Sequence, residues 1–112
     1  MSDNIKGLIK NAGDMADLAY AASMYHNSRV NELECGTRDY CWHQYQANQS
    51  RAVMYEFYAK GREAAIKNRY TDFTATDAAH RKVARAEAEL YRANSAEHWE
   101  RAQDYRAKWR EL

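Results

Sequence analysis

Histidine and cysteine are the side chains best suited to nucleophilic, acid–base or metal chemistry, and this sequence has 4 histidines and 2 cysteines. Cys35, Cys41 and His43 lie close together in the sequence, but their spacing is not that of a zinc site. A di-iron bundle needs a Glu-x-x-His motif on each of two helices, and the nearest match is the single segment from Asp77 to His80. We therefore predict neither a metal site nor a cofactor.

A cysteine acts as a catalytic nucleophile only when it is activated. Cys41 is the candidate because it lies near the predicted start of a helix, where the pKa of a thiol can fall. No base is identifiable beside it, since the histidines occupy different helix faces and no carboxylate is placed to orient one of them. We therefore predict that the protein is not an enzyme. Cys35 and Cys41 flank a predicted turn, where reduced structural thiols are favoured over a disulfide.

The net charge of the chain is only +1, from 17 basic and 16 acidic side chains. This balance argues against a protein that coats nucleic acid along its length, and equally against an acidic mimic of DNA. No segment approaches the roughly 20 apolar residues of a transmembrane helix, and the first residues lack the apolar run of a signal peptide. We therefore predict a cytoplasmic protein without a membrane partner, located in the host cytoplasm if a phage encodes it.

Helices must position any functional side chains, since the sequence lacks proline and shows long segments of helical periodicity. Leucine, isoleucine, valine and phenylalanine total only thirteen residues. Alanine, 9 tyrosines and 3 tryptophans supply the remaining apolar surface. The chain should fold as one domain, residues 1–112, around a core with few aliphatic side chains.

The segment from residue 37 to residue 70 is the centre of the predicted fold. Its apolar side chains form three stripes rather than one, so they cover most of the circumference of a helix. Between Tyr40 and Ala59 the only charged side chains are Arg51 and Glu56. Such a helix is expected in the middle of a bundle, with more neighbours than a single chain of this length can supply.

Two further helices flank this segment. The first spans about residues 3–35 and has an apolar stripe at three- and four-residue steps. At Gly13 the sequence allows a break in this helix as readily as a continuous helix. Gly36 and Thr37 favour a helix end followed by the N-cap of the central helix. The last helix, about residues 75–110, carries two apolar stripes and many charges, which indicates a peripheral position.

The predicted fold is an all-α, elongated antiparallel bundle of three long helices, at about residues 3–35, 38–70 and 75–110. Short turns between these helices place uncharged polar side chains near the middle of the bundle. This polar mid-bundle layer consists of His26, Gln44, Asn48, Asn94 and His98. A buried or interfacial hydrogen-bond network is the preferred interpretation of the layer, and a pocket for a small molecule is the alternative.

Basic side chains gather at one end of the predicted bundle. This basic end consists of Arg62, Lys67, Arg69, Arg81, Lys82 and Arg85. A solvated surface is the simpler interpretation. The alternative is a contact with a nucleotide, another small anion or an acidic protein surface, because arginine binds phosphate and carboxylate through paired hydrogen bonds. Few aromatic side chains lie among these residues, so a nucleic acid partner is not favoured.

Tyrosine, tryptophan, methionine and arginine are the residue types enriched at protein interfaces, and they are numerous here. The predicted partner-binding anchors are Trp42, Phe57, Tyr58, Tyr91, Trp99, Tyr105 and Trp109. We predict a non-enzymatic protein-interaction module that forms a homo-oligomer and binds a partner protein, by analogy with small accessory or inhibitor proteins of phages and mobile elements. The alternative function is binding of a nucleotide or other small anionic ligand, through the basic end or the polar mid-bundle layer.

Overall fold

The structure, a computed structural model, describes residues 3–68 and 75–112, with side chains from residue 10 to 67 and from 75 onwards. Three α-helices account for nearly all of these residues: α1 (Asp3–Glu32), α2 (Arg38–Asn68) and α3 (Ala75–Glu111). The predicted all-α fold of three long helices is confirmed. α1 ends three residues before the predicted boundary at residue 35. The predicted end of α2 at residue 70 lies outside the described residues.

α1 is continuous through Gly13, so the break that the sequence allowed at this glycine is not observed. The next residue, Asp14, lies within the continuous helix. Its carboxylate accepts a hydrogen bond from Lys10 Nζ at 3.0 Å, one turn earlier on the same helix. The apolar stripe thus continues without a change of direction, and its periodicity outweighs the low helix propensity of one exposed glycine.

The turn between α1 and α2 contains the two residues whose types predicted it. Gly36 has a φ of 87°, in the left-handed region that side chains with a Cβ rarely adopt. Thr37 Oγ1 accepts a hydrogen bond from the backbone N–H of Tyr40 at 3.3 Å, which is the N-cap interaction. The same hydroxyl donates to the carbonyl of Glu34 at 2.9 Å. This short turn, with two hydrogen bonds to the hydroxyl of Thr37, holds α1 and α2 as an antiparallel hairpin.

α1 and α3 both pack against α2, and within the described residues they do not pack against each other. The result is a layer of three helices with α2 in the middle, rather than a triangular bundle in which each helix contacts both others. The molecule measures 57 × 23 × 20 Å, with a radius of gyration of 17.4 Å. A compact domain of this length would have a radius of gyration of about 13 Å. From residue 43 to residue 59, every side chain of α2 is buried or half-buried between the other two helices.

Small side chains fill the two helix–helix contacts. The buried hydrophobic residues are Ala12, Ala16, Cys41, Ala47, Ala52, Met54, Ala59, Ala65, Ala84, Ala88 and Ala102. Ser23 has the largest completely buried side chain in the described part of the chain, and no aromatic side chain there is buried. The chain exposes 7336 Å², whereas a compact monomer of this mass exposes about 6,400 Å². Alanine lets the helices approach closely, and the large side chains lie at the edges of the contacts.

Candidate interaction surfaces

The polar mid-bundle layer of the sequence analysis is divided between the two sides of α2. His26 of α1 meets His43 of α2, with 2.8 Å between their Nδ1 atoms. On the other side, His98 Nδ1 of α3 lies 3.0 Å from Asn48 Oδ1 of α2. One continuous layer cannot form, because α1 and α3 lie on opposite sides of α2.

The other two members of the predicted layer join neither pair directly. The side-chain amide of Gln44 donates to the hydroxyl of Tyr40 at 3.0 Å, one turn earlier on α2. Asn94 is half-buried on α3, next to Ser95 in the sequence. Ser95 makes the buried polar contact between α2 and α3: its Oγ donates to the carbonyl of Ala52 at 2.8 Å. Ser95 is not a member of the predicted polar layer. Its burial depends on the crossing of two alanine-rich helix faces.

The paired imidazoles of His26 and His43 can hold one proton between them. One Nδ1 must donate and the other accept, so a proton on both Nδ1 atoms would break the contact and bring two positive charges together. Burial lowers the pKa of His26 below its ordinary value of 6.5, and the neighbouring His43 acts in the same direction. The ring of Tyr25 lies edge-on to His26, at 5.1 Å between centroids, and covers one side of the pair.

His98 on the opposite side of α2 has a similar electrostatic environment. Burial lowers its pKa below 6.5, and the positive charge of Arg101 adds to this effect. Glu97 acts in the opposite direction, and Arg51 again lowers the pKa. The environments of His26 and His98 thus both favour the neutral imidazole.

These lowered pKa values predict a loss of stability in mild acid. The unfolded chain binds more protons than the folded chain between the lowered pKa and the ordinary value of 6.5. The stabilisation from both histidines is therefore present above pH 6.5 and lost as the pH falls below it. We expect a lower melting temperature at about pH 5.5 than at about pH 7.5.

Substitutions test whether the loss of stability in acid comes from His26 and His98 rather than from other groups that bind protons. The double variant His26→Gln, His98→Gln should show a weaker dependence of melting temperature on pH over the same range. Gln103→Ala, at an exposed position of α3 that carries no titratable group, is the control and should keep the wild-type dependence. A melting temperature that is equal at both pH values in the wild-type protein would contradict the lowered pKa values.

Several predicted anchors pack against other aromatic rings of the same chain. Tyr55 stacks on Tyr91 at 6.1 Å and on His98 at 5.6 Å between ring centroids. Tyr58 lies 5.3 Å from Tyr91. Both Tyr58 and Tyr91 are half-buried. This tyrosine cluster joins α2 to α3 and remains partly accessible, because its tyrosines are only half-buried.

A second aromatic cluster lies where the start of α2 meets the end of α3. The rings of Trp42 and Trp109 are 5.1 Å apart, and the guanidinium of Arg38 lies 4.5 Å from the centre of the Trp109 ring. Trp42 is 36% exposed. Tyr105 is half-buried, 6.4 Å from Tyr40. This cluster presents two indole rings and a cation together at the surface.

The last two predicted anchors are separate from these clusters. Trp99 is half-buried on α3. Phe57 is half-buried beside a groove of about 180 Å³ between α1 and α2, and the ammonium of Lys60 lies 4.9 Å from its ring. Both side chains still have surface available for a partner.

Two ion pairs lie at or beside the predicted basic end, and one of them includes a member of it, Arg62. Arg62 Nε lies 2.9 Å from a carboxylate oxygen of Glu87. Arg92 donates two hydrogen bonds to Glu63, at 2.9 and 3.2 Å. Both ion pairs connect α2 with α3. A groove of about 370 Å³ beside them is lined by two arginines, two glutamates, an isoleucine and an alanine, so its charges balance.

Three basic side chains of that end, Lys67, Lys82 and Arg85, are exposed, and Arg81 is half-buried. Arg69 lies outside the described residues. Binding of an anion here stays a prediction, with a weaker local positive charge than the sequence indicated.

An exposed apolar surface lies on α1, on which none of the predicted anchors is located. We name it the outer α1 seam: Met15, Leu18, Ala22 and Tyr25. Leu18 is 65% exposed and Tyr25 59%. With Val53 and two glutamines of α2, Met15 and Leu18 line a groove of about 350 Å³. Met15 and Ala22 also fit the three- and four-residue steps of the single apolar stripe predicted for this helix, so spacing alone does not separate the two faces.

Smaller apolar surfaces occur on other parts of the described chain. On the opposite flank of α1, the guanidinium of Arg51 lies 5.1 Å from the ring of Tyr20 and 3.6 Å from the sulfur of Met24. On α3, Val83 and Leu90 are both exposed.

Neither a metal site nor a membrane-spanning helix is found in the described part of the chain. It contains no group of three histidine, cysteine or acidic side chains placed to hold a metal ion. Within the same residues, no helix has the length and hydrophobicity needed to cross a membrane. Cys35 is exposed and Cys41 buried, and both are free thiols. No family model matches the chain, and neither a curated protein nor a solved structure matches it.

Proposed function

We propose that this chain is a non-enzymatic helical protein-interaction module that self-associates and also binds a second macromolecule. One observation carries the proposal. The described chain exposes large apolar and aromatic side chains on α1, at Trp42 of α2 and on α3, while its own contacts bury mainly alanine. Complete burial of one such side chain is worth about 1.5–3 kcal/mol, so covering several of them is a strong driving force for association.

The exposed surfaces fall into two kinds that suit two roles. The outer α1 seam is aliphatic and aromatic, and no charged residue occurs from Leu18 to Ser28. Uncharged apolar helix faces of this kind suit stable association between subunits. This surface is our candidate for self-association.

The aromatic clusters of α2 and α3 are the candidate for the second partner. Trp42, Trp109 and Arg38 group two residue types that dominate binding energies at interfaces, tryptophan and arginine. The rings are already held by one another, so little side-chain entropy remains to be lost on binding. A partner surface with an apolar pocket and nearby carboxylates would match this cluster. Binding of such a partner would fit a role of this chain as a small accessory or inhibitor protein.

Affinity capture with the intact chain as bait tests the proposal. The wild-type chain should retain a defined protein at stoichiometric levels. The double variant Trp42→Ala, Trp109→Ala should lose at least about tenfold of that binding, since two hot-spot side chains are removed. Val83→Ala, an exposed aliphatic residue away from the cluster, is the control and should bind like wild type. Helix content and melting temperature, measured on each bait, separate lost binding from lost folding.

Two results would overturn the partner-binding part of the proposal. One is that the wild-type chain retains no protein above the level of an unrelated helical bait. The other is that the folded tryptophan variant retains the same proteins in the same amounts.

A further inference from the structure

α1 carries two neighbouring seams, each with residues at alternating steps of three and four. This spacing is typical of helices that pack side by side over several turns. The inner seam faces α2 and consists of Ala12, Ala16, Ala19, Ser23 and His26. The outer α1 seam is displaced from it by one residue, about 100° around the helix. α1 is therefore built to pack against two helices, and the described part of the chain supplies only α2.

Charged side chains bracket the outer α1 seam at both ends. The N-terminal charge pair is Lys10 with Asp14, at 3.0 Å, and the C-terminal charge pair is Arg29 with Glu32, at 2.7 Å. Their side chains remain between 42% and 78% exposed. Along α1 these four charges give the order positive, negative, the apolar seam, positive, negative. The exposed Asp17 lies about 100° around the helix from Leu18, to one side of the seam.

This order is complementary to itself when it is reversed. Consider two α1 helices that pack antiparallel and cross near Ala21 and Ala22. A two-fold axis at the crossing places each residue beside the residue of the second copy that is equally far from the crossing on the other side, so that the two residue numbers add to about 43. Asp14 then lies beside Arg29 of the second copy. Lys10 lies beside the second copy's Glu32 in the same arrangement.

The apolar side chains match in the same register. Leu18 lies beside Tyr25 of the second copy, and the alanines at the crossing let the two helices approach closely. A parallel pair would instead place each charged residue against its own copy, which is unfavourable. The charges therefore select the antiparallel arrangement.

We propose that a second copy of this chain occupies the outer α1 seam, bound antiparallel through α1. The inference rests on the proposed function, because it specifies the partner at one of the proposed surfaces. An unrelated partner would not require that the two charge pairs of one helix complement each other. A two-fold symmetric dimer requires it, because every contact occurs twice across the axis.

Charge reversal tests this pairing without a change in net charge. The first variant carries Lys10→Glu and Asp14→Lys, and the second carries Arg29→Glu and Glu32→Arg. Each keeps its ion pairs within the chain but turns four attractive pairs of the dimer into repulsive ones. Sedimentation equilibrium should give a dimer dissociation constant at least about tenfold above that of wild type for either variant alone.

Mixing the two variants should restore association. In the heterodimer, the reversed N-terminal charge pair of one chain meets the reversed C-terminal charge pair of the other, and the remaining ends keep their wild-type charges. The mixture should therefore dimerise with an affinity near that of wild type. A chain that carries all four substitutions should also recover the wild-type affinity.

The apolar part of the interface has its own test. Leu18→Asp should raise the dimer dissociation constant about 100-fold, since the charge is placed at the centre of the seam in both copies. Leu90→Asp is the matched control: Leu90 is 59% exposed on α3, close to the 65% of Leu18, and its substitution should leave the constant unchanged.

The outcomes separate this inference from the proposed function. If wild type forms a dimer and neither charge-reversed variant weakens it, the α1 pairing is wrong while self-association stands. If wild type forms no dimer at any concentration, self-association itself fails. If both variants weaken the dimer and their mixture does not recover, the antiparallel register is wrong.

Discussion

Ala102→Leu should lower the free energy of unfolding by about 1–3 kcal/mol. Ala102 is 0% exposed on the face of α3 that packs against α2. The buried residues of α3 in this contact are three alanines and one serine, so the added carbon atoms of leucine have no space unless the helices separate. Urea and thermal unfolding measure the effect. Each kcal/mol corresponds to a fall of about 4–8 °C in the melting temperature of a domain near this size.

Ala107→Leu provides the matched control on the same helix. Ala107 is exposed, so the same substitution should change stability by no more than about 0.5 kcal/mol. Equal stability of the Ala102→Leu and Ala107→Leu variants would contradict the close approach of α2 and α3 through alanine.

Tyr55→Ala should destabilise the protein by about 2–3 kcal/mol, from lost ring burial and lost contacts between rings. Tyr55 is the centre of the tyrosine cluster, since its ring contacts Tyr91, His98 and Tyr58. The aliphatic core is thin, so such clusters supply a larger share of the stability here than in a bundle rich in leucine. Chemical unfolding gives the magnitude, and near-ultraviolet circular dichroism should show a weaker tyrosine signal.

Tyr55→Phe is the control for this experiment because it keeps the ring. It should retain most of the wild-type stability, within about 1 kcal/mol. A Tyr55→Ala variant with an unchanged unfolding midpoint would show that the cluster is not formed in solution.

The sequence predicted the helices and the turn well because local chemistry determines them. Gly36 and Thr37 mark the turn by their backbone preference and capping hydroxyl, and the structure uses both. The central position of α2 also followed from the distribution of apolar side chains around it. These properties depend on neighbouring residues in the chain, which a single sequence displays directly.

The arrangement of α1 and α3 was not predictable in the same way. Periodicity shows which faces of α2 are apolar, but it does not determine the angle at which two other helices pack. A closed bundle would have joined the predicted polar layer, whereas the open layer of helices divides it into the His26–His43 and Asn48–His98 contacts. The distance between the two Nδ1 atoms depends on this angle and on side-chain rotamers.

The outer α1 seam and the ion pairs between helices were also not predictable from the sequence. The Arg62–Glu87 ion pair connects residues that are distant in sequence, so spacing rules within one helix cannot detect it. The outer α1 seam was hidden because two adjacent seams share one helix. Met15 fits either seam by spacing, and only the contact with α2 shows which residues are covered.

Sedimentation equilibrium of the wild-type chain is the most direct test of the central claim that these uncovered surfaces associate. The chain has a mass of 13.1 kDa, and we predict an average mass that rises with concentration toward twice that value. A constant mass of 13.1 kDa up to a concentration of about 1 mM would contradict the account, since even weak specific association would be detected there.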